Sequence, residues 1–240
     1  MRILRDHPYL CWSIMLFVIF LVTYLTAKQF RPLMVFSGIA SAVYSLTAVF
    51  FVPEYWEPVL VLKSLVGLED LLFSFANGGI VCFLSLWPVR KRISIKFTFS
   101  GLLNRYLGWT FIGAIICYVF RKTGATIMGC CMMAMIIIGV TMLFKNKRFW
   151  LLSLTGAIGY TALYIGVMTV LGQWFPSFHT QWNFENLWGY RFLSFPLEEF
   201  VWAFGFGAVF PLIMAFAFGI TLNDSGNSGN NSQYRILPVR

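Results

Sequence analysis

Charge is what this 240-residue chain has least of. Only 11% of its residues are charged and 59% are hydrophobic, whereas about a quarter of a soluble domain is charged. That deficit excludes a soluble globular fold and identifies an integral membrane protein. Acids are scarcer than bases, nine Asp and Glu against 18 Lys and Arg, for a net charge of +9. The bases sit in short clusters between apolar runs, the positive-inside pattern of cytoplasmic loops, so a nucleic-acid partner is not expected. Histidine occurs only at His7 and His179. The five cysteines (Cys11, Cys82, Cys117, Cys130, Cys131) lie inside apolar segments without metal-ligand spacing. They read as buried small hydrophobes, and no metal is expected. A G-x-G-x-x-G turn is lacking too, which leaves no signal for a flavin or nicotinamide cofactor. The basic amino terminus leads into an apolar run without a small-residue cleavage site and reads as a first span.

Apolar runs cover Tyr9 to Ala27, Leu33 to Val52, Leu65 to Trp87, Tyr106 to Phe120, Gly124 to Phe144, Phe149 to Leu171 and Leu197 to Leu222. The fourth is short for a bilayer that needs about 20 residues, so six or seven spans are possible by length. With seven, the 18 cations divide 12 to 6 between the two faces; with six, they divide 10 to 8. The asymmetry favours seven spans, with the amino terminus outside and the carboxyl terminus in the cytoplasm of a cell (inner) membrane. The tail "NDSGNSGNNSQ" is polar and Gly/Ser/Asn-rich, and is expected to be disordered. Its formal glycosylation patterns at Asn223 and Asn230 would go unused on the cytoplasmic side.

An internal repeat organises the spans. "EYWEPVLVLKSLVGLEDLLFSFANGG" from Glu54 matches "TQWNFENLWGYRFLSFPLEEFVWAFGFGA" from Thr180. Each has a tryptophan (Trp56, Trp182), a linker and a Leu-acid-acid triplet (Leu68-Glu69-Asp70, Leu197-Glu198-Glu199). Aromatics follow at equal spacing (Phe73 and Phe75; Trp202 and Phe204), and then a glycine (Gly78, Gly207). Seven of the nine acids belong to these two stretches. The expected fold is all-α, two three-helix repeats (1–105 and 124–222) joined by a linking helix (106–123), with the tail at 223–240. One odd linking span makes the repeats parallel, so both acid pairs fall at the same membrane face.

Carboxylates in the first turn of a helix are favoured by free amides and the helix dipole, so simple helix capping is one reading of Glu69, Asp70, Glu198 and Glu199. Acid–base work is the other. Adjacent carboxylates in a dry setting cannot all ionise cheaply, and one held protonated is a general acid. Aromatic faces from Trp56, Phe73, Phe75, Trp182, Trp188, Trp202, Phe204 and Phe206 would stabilise a cation without trapping it. Such a set suits carbocation chemistry on a membrane isoprenoid.

The stretches "WNFENLWGYRFLSFPLEEFVWAFGFGAV" and "LEDLLFSFANGG" resemble the paired motifs of the lycopene cyclase domain family, small membrane cyclases whose domains act in pairs as heterodimers or fusions. The resemblance implies non-redox closure of the linear ends of lycopene into β-rings without a cofactor. It places Glu198, Glu199, Glu69 and Asp70 in the acid–base roles, and Trp56, Phe73, Phe75, Trp182, Asn183, Trp202 and Phe204 around the substrate. One departure is Gly67 where the second half has Pro196. The partners expected are membrane lipids and a carotenoid-like substrate, with no oligomeric state implied. A glutamate-type intramembrane protease, a prenyltransferase and a retinal protein each lack a required residue: a downstream Arg with membrane His, Asp-rich pairs, and a lysine in the last span. The remaining alternative is a non-catalytic carotenoid- or lipid-binding protein, or a small transporter.

Overall fold

A computed structural model of the chain describes residues 6–62, 64–95 and 99–222; the polar tail expected at 223–240 lies outside them. Among the described residues, seven helices are long and apolar enough to cross a membrane. They are α1 (Pro8–Thr26), α2 (Lys28–Phe51), α3 (Leu68–Leu86), α4 (Phe99–Lys122), α5 (Ile127–Lys145), α6 (Trp150–Trp174) and α7 (Leu197–Phe218). α2 passes through 3-10 turns at Lys28–Phe30 and Tyr44–Thr47. Three more 3-10 turns (Lys147–Phe149, Pro176–Gln181 and Phe184–Asn186) and four short strands complete the described elements: β1 (Ile93–Ile95), β2 (Arg191–Phe192), β3 (Phe195–Pro196) and β4 (Ile220–Leu222).

The fourth span is 24 residues long, not the short run visible in the sequence. Its first turns carry Asn104 and Arg105, which break the apolar pattern. Arg105 places its charge at the helix end, donating to the carbonyls of Gly101 (3.0 Å) and Phe216 (3.1 Å). The third span starts later than its apolar run, because Gly67 is extended (φ −92°, ψ 168°) and serves as the N-cap. α7 stops at Gly219, whose φ of 63° is a left-handed C-cap conformation that suits glycine. From there β4 pairs antiparallel with β1, Ile220 opposite Ile95.

Alternating helix directions sort the charges. The end holding the N-termini of α1, α3, α5 and α7 carries all eight described acids and three cations, Arg121, Lys122 and Arg191. The opposite end carries the other nine described cations and no described acid. At the acidic end Arg121 of α4 pairs with Glu54 and donates to the Ala125 carbonyl (2.9 Å), while Ile127 N–H donates to Glu54 Oε1 (2.8 Å). Burial pushes the Glu54 carboxyl up, but these bonds and the guanidinium charge outweigh it and hold its pKa below the ordinary 4.5.

Helix contacts follow the same plan in each half. α3 packs on α1 and α2; α7 packs on α5 and α6. A Cβ at Gly78 would lie 2.4 Å from the Ser37 carbonyl oxygen of α2, and one at Gly207 would lie 2.7 Å from the Gly156 oxygen of α6. Glycines permit such backbone approach between membrane helices, where tight packing replaces the hydrophobic effect as the force that holds helices together. Between the halves, α3 lies directly against α6. The corresponding pair, α2 and α7, is spaced by side chains, Tyr44 meeting Phe210 at 6.3 Å and Phe36 meeting Phe218 at 6.5 Å.

Two outcomes are expected. Gly78→Ala and Gly207→Ala should each lower thermal stability in detergent by about 1–3 kcal/mol. Gly108→Ala and Gly166→Ala, whose Cβ atoms would meet nothing within 4 Å, should be neutral or stabilising. The Glu54 clamp should be pH-dependent. A depressed carboxyl contributes stability fully above 4.5 and loses it as pH falls through the lower folded-state value. Hydrogen exchange of the 121–127 loop should therefore accelerate at acid pH in the wild type, and already be fast at neutral pH in Glu54→Gln.

Candidate active site

All four predicted acids are buried, with 1 to 6% of each exposed. They occupy the first turns of α3 and α7, second and third after the N-cap in each helix. Within each pair the two acids do different things. The first acid holds the preceding linker: Glu69 Oε1 accepts the Val61 N–H at 2.8 Å, and Glu198 Oε1 accepts the Trp188 N–H. The second acid lines a cavity of about 590 Å³ that runs between α2 and α7 and is walled by α4 and α5.

The second acids also differ from each other, for a backbone reason. Asp70 Oδ2 caps its own helix by accepting the Gly67 N–H (2.8 Å), and its Oδ1 accepts the Tyr9 hydroxyl (2.7 Å). Pro196 stands at the equivalent N-cap and has no N–H to give. Glu199 is thereby free for side-chain donors and receives three: Tyr55 hydroxyl (2.8 Å), Trp182 Nε1 (2.8 Å) and Tyr164 hydroxyl (2.5 Å). Burial, and then the Glu199 charge, hold the Tyr55 hydroxyl well above the usual tyrosine range, so it stays a proton-bearing donor. Helix capping therefore describes Asp70 in part and does not describe Glu199.

The linkers carrying Tyr55 and Trp182 are tied to each other. Trp56 and Trp182 form an antiparallel bridge, with Glu57 N–H donating to the Gln181 carbonyl (2.7 Å) and Asn183 N–H to the Tyr55 carbonyl (2.9 Å). The two indoles lie 6.2 Å apart. A hairpin of β2 and β3 closes the second linker through Leu193 and Ser194, both at positive φ. Its Tyr190 carbonyl accepts the Leu197 N–H (3.0 Å) at the head of α7.

The expected aromatics divide by helix periodicity. Trp202, Phe206 and Phe210, four residues apart, share one face and stack with centroids 5.3 and 5.0 Å apart, all lining the cavity. Phe73 lines it too and stacks on Trp202 at 6.4 Å, and Trp56 lies at the same end. Phe75 and Phe204 do not line it. Two residues along a helix is about 200° of rotation, which sends Phe75 between Phe17 and Phe20 and leaves Phe204 49% exposed. Trp182 faces Glu199 rather than the cavity. Asn183 binds backbone, its Nδ2 3.5 Å from the Pro53 carbonyl. Trp188 is half exposed and contributes its N–H to Glu198. Sequence reasoning missed Tyr9, Tyr55, Tyr164, Trp12 and Phe210. Phe210 was findable from four-residue spacing; the others come from distant segments with no local signal.

No described group of three His, Cys, Asp or Glu side chains could hold a metal ion. The site can deliver and receive protons at the end of an aromatic-walled apolar chamber. A family model described as lycopene cyclase matches residues 124–217, which span α5, α6, the second linker and α7 as far as Ala217. No curated protein and no solved structure matches the chain. The matched segment contains Trp182, Glu198, Glu199 and Trp202. By motif and by family model, residues 124–217 of this chain are similar to the lycopene cyclase family.

Proposed function

We propose that the protein is a membrane carotenoid cyclase that closes a linear isoprenoid end by acid–base chemistry. The observation that carries the reading is the placement of Glu199 and Asp70, the second acid of each pair, at one end of a chamber lined by Trp202, Phe206, Phe210 and Phe73. A carboxylic acid gives its proton to the terminal double bond, forming a C–H bond and a tertiary cation. The next double bond attacks that cation and forms the ring C–C bond. A carboxylate then removes a proton to leave the ring double bond. One proton enters and one leaves, no electrons are gained or lost, and the product is an isomer of the substrate. A ring that turns its negative π surface toward the cation would stabilise it by about 2 kcal/mol or more when desolvated.

Glu199 is the proton-exchanging acid on this reading. Its two tyrosine hydroxyls hold it in place by donating hydrogen bonds, and Asp70 assists from the other half. Glu69 and Glu198 position the linkers. The chain is read as two parallel repeats, α1 to α3 and α5 to α7, joined by α4. Equivalent residues meeting one another support this, Trp56 with Trp182 and Phe73 with Trp202, as contacts across a twofold axis do. The basic end faces the cytoplasm by the positive-inside rule.

Expression in cells that accumulate lycopene, and in cells that accumulate an oxygenated linear carotenoid, followed by pigment chromatography, tests the activity; both pigments unchanged in the presence of folded protein would favour the binding-protein alternative. Glu199→Gln should lose about 10²–10⁴-fold in product per folded molecule while keeping its shape, and Asp70→Asn should lose less. Glu69→Ala and Glu198→Ala should instead lower stability by about 1–3 kcal/mol, each leaving a linker N–H unpaired, with product per folded molecule close to wild type. A folded Glu199→Gln variant working at the wild-type rate would sink the assignment. Purified protein in lipid should work with substrate alone; strict dependence on reduced flavin or nicotinamide would refute the non-redox mechanism.

A further inference from the structure

Asn77 lies on α3 two turns beyond Asp70. Seven residues is about 700° of rotation, so the two share a helix face, about 10 Å apart along the axis. Asn77 lines the same chamber as Asp70, yet it is 99% buried from solvent (1% exposed), and neither its Oδ1 nor its Nδ2 has a hydrogen-bond partner among the described residues. Buried polar groups are almost always paired, and an amide left unpaired in apolar surroundings is costly. At the equivalent position α7 has Phe206, part of the aromatic stack. Packing therefore does not require an amide here, since the other half fills the place with a ring. A partner that arrives with the ligand would pair it.

We infer that Asn77 is a specificity-determining residue that recognises an oxygen function, a hydroxyl or carbonyl, on the isoprenoid occupying the chamber. The amide offers both a donor and an acceptor, the pair of groups that a hydroxyl satisfies, and a pure hydrocarbon satisfies neither. The recognised oxygen lies about two helical turns from the carboxylates, so the substrate class is an isoprenoid with an apolar end at Glu199 and Asp70 and a polar function further along the chain. This inference rests on the reading of the chamber as an isoprenoid site, but not on turnover.

The test is therefore a binding measurement with probes that cannot be cyclised. Retinol and its deoxy hydrocarbon, axerophthene, absorb tryptophan emission, and Trp12, Trp56, Trp109 and Trp202 line the chamber. Quenching is titrated with the full-length protein in lipid nanodiscs. The wild type should bind retinol about tenfold more tightly than axerophthene, the discrimination expected when a buried polar group gains or lacks its partner. Asn77→Leu, close in volume, and Asn77→Ala should bring the two affinities within about twofold by weakening retinol. Should neither variant fold, a retinol analogue carrying a diazirine beside its hydroxyl is crosslinked to the wild type. Labelling of α3 around Asn77 supports the inference, and labelling confined to other helices overturns it. Equal binding of the two probes by the wild type, the result expected if water satisfies Asn77, overturns the inference while leaving the isoprenoid site standing. Discrimination that survives in a folded variant also overturns the inference alone. Failure of the wild type to bind either probe overturns both.

Discussion

The carboxylate of Glu199 is the knot through which the acidic end of the bundle is tied. Its three donors come from three separate segments: the linker after α2, the body of α6, and the linker before α7. Each of those donors is buried and would otherwise be left unpaired, and so would the carboxylate. The bond set therefore fixes where both linkers cross the end of the bundle and where α6 stands relative to α7. The Trp56–Trp182 bridge and the aromatic stack below it inherit their positions from this arrangement. A site assembled this way is held rigid by the same contacts that supply its chemistry, the economy that preorganised sites depend on.

What was legible in the sequence was whatever repeats or alternates locally. Seven spans followed from apolar length and the uneven distribution of cations, and the acidic motifs followed from their recurrence in a chain with so few acids. The limits of the spans were less legible, because Arg105 and Asn104 lie inside α4 while presenting as loop residues. Phe75 and Phe204 were expected beside the substrate because they recur in both motifs. Recurrence, however, marks a shared helix position and not a direction; a step of two residues turns them away from the face that Phe73 and Trp202 occupy. Tyr9, Tyr55 and Tyr164 could not be assigned at all, since what joins them to Asp70 and Glu199 is tertiary contact over as many as 144 positions. The difference in duty between the first and second acid of each pair is likewise a matter of direction.

The Gly67 and Pro196 pair shows how one backbone atom separates two otherwise similar halves. Both residues precede a Leu-acid-acid triplet and both serve as N-caps. Glycine keeps an N–H, which Asp70 folds back to accept, so half of that carboxylate is committed to the helix. Proline has none, and Glu199 is turned outward to tyrosine and tryptophan. Equivalent carboxylates thus acquire different surroundings before any side chain nearby is considered, and the halves need not carry equal shares of the chemistry.

The unequal spacing of the two cross-pairs, α3 on α6 but α2 held off from α7, has a geometric consequence for any long symmetrical guest. A bundle with matching gaps on both sides of its near-twofold axis could seat both termini of such a molecule at once. Here one gap is closed by direct helix contact and the other is open, so the cavity beside α2 and α7 has no matching counterpart between α3 and α6. A guest with two identical termini would have to present them in turn, withdrawing and reversing between visits. If the proposed ring closure takes place in that cavity, the two ends are no longer alike after the first visit, and a half-finished molecule then competes with fresh ones as a new guest.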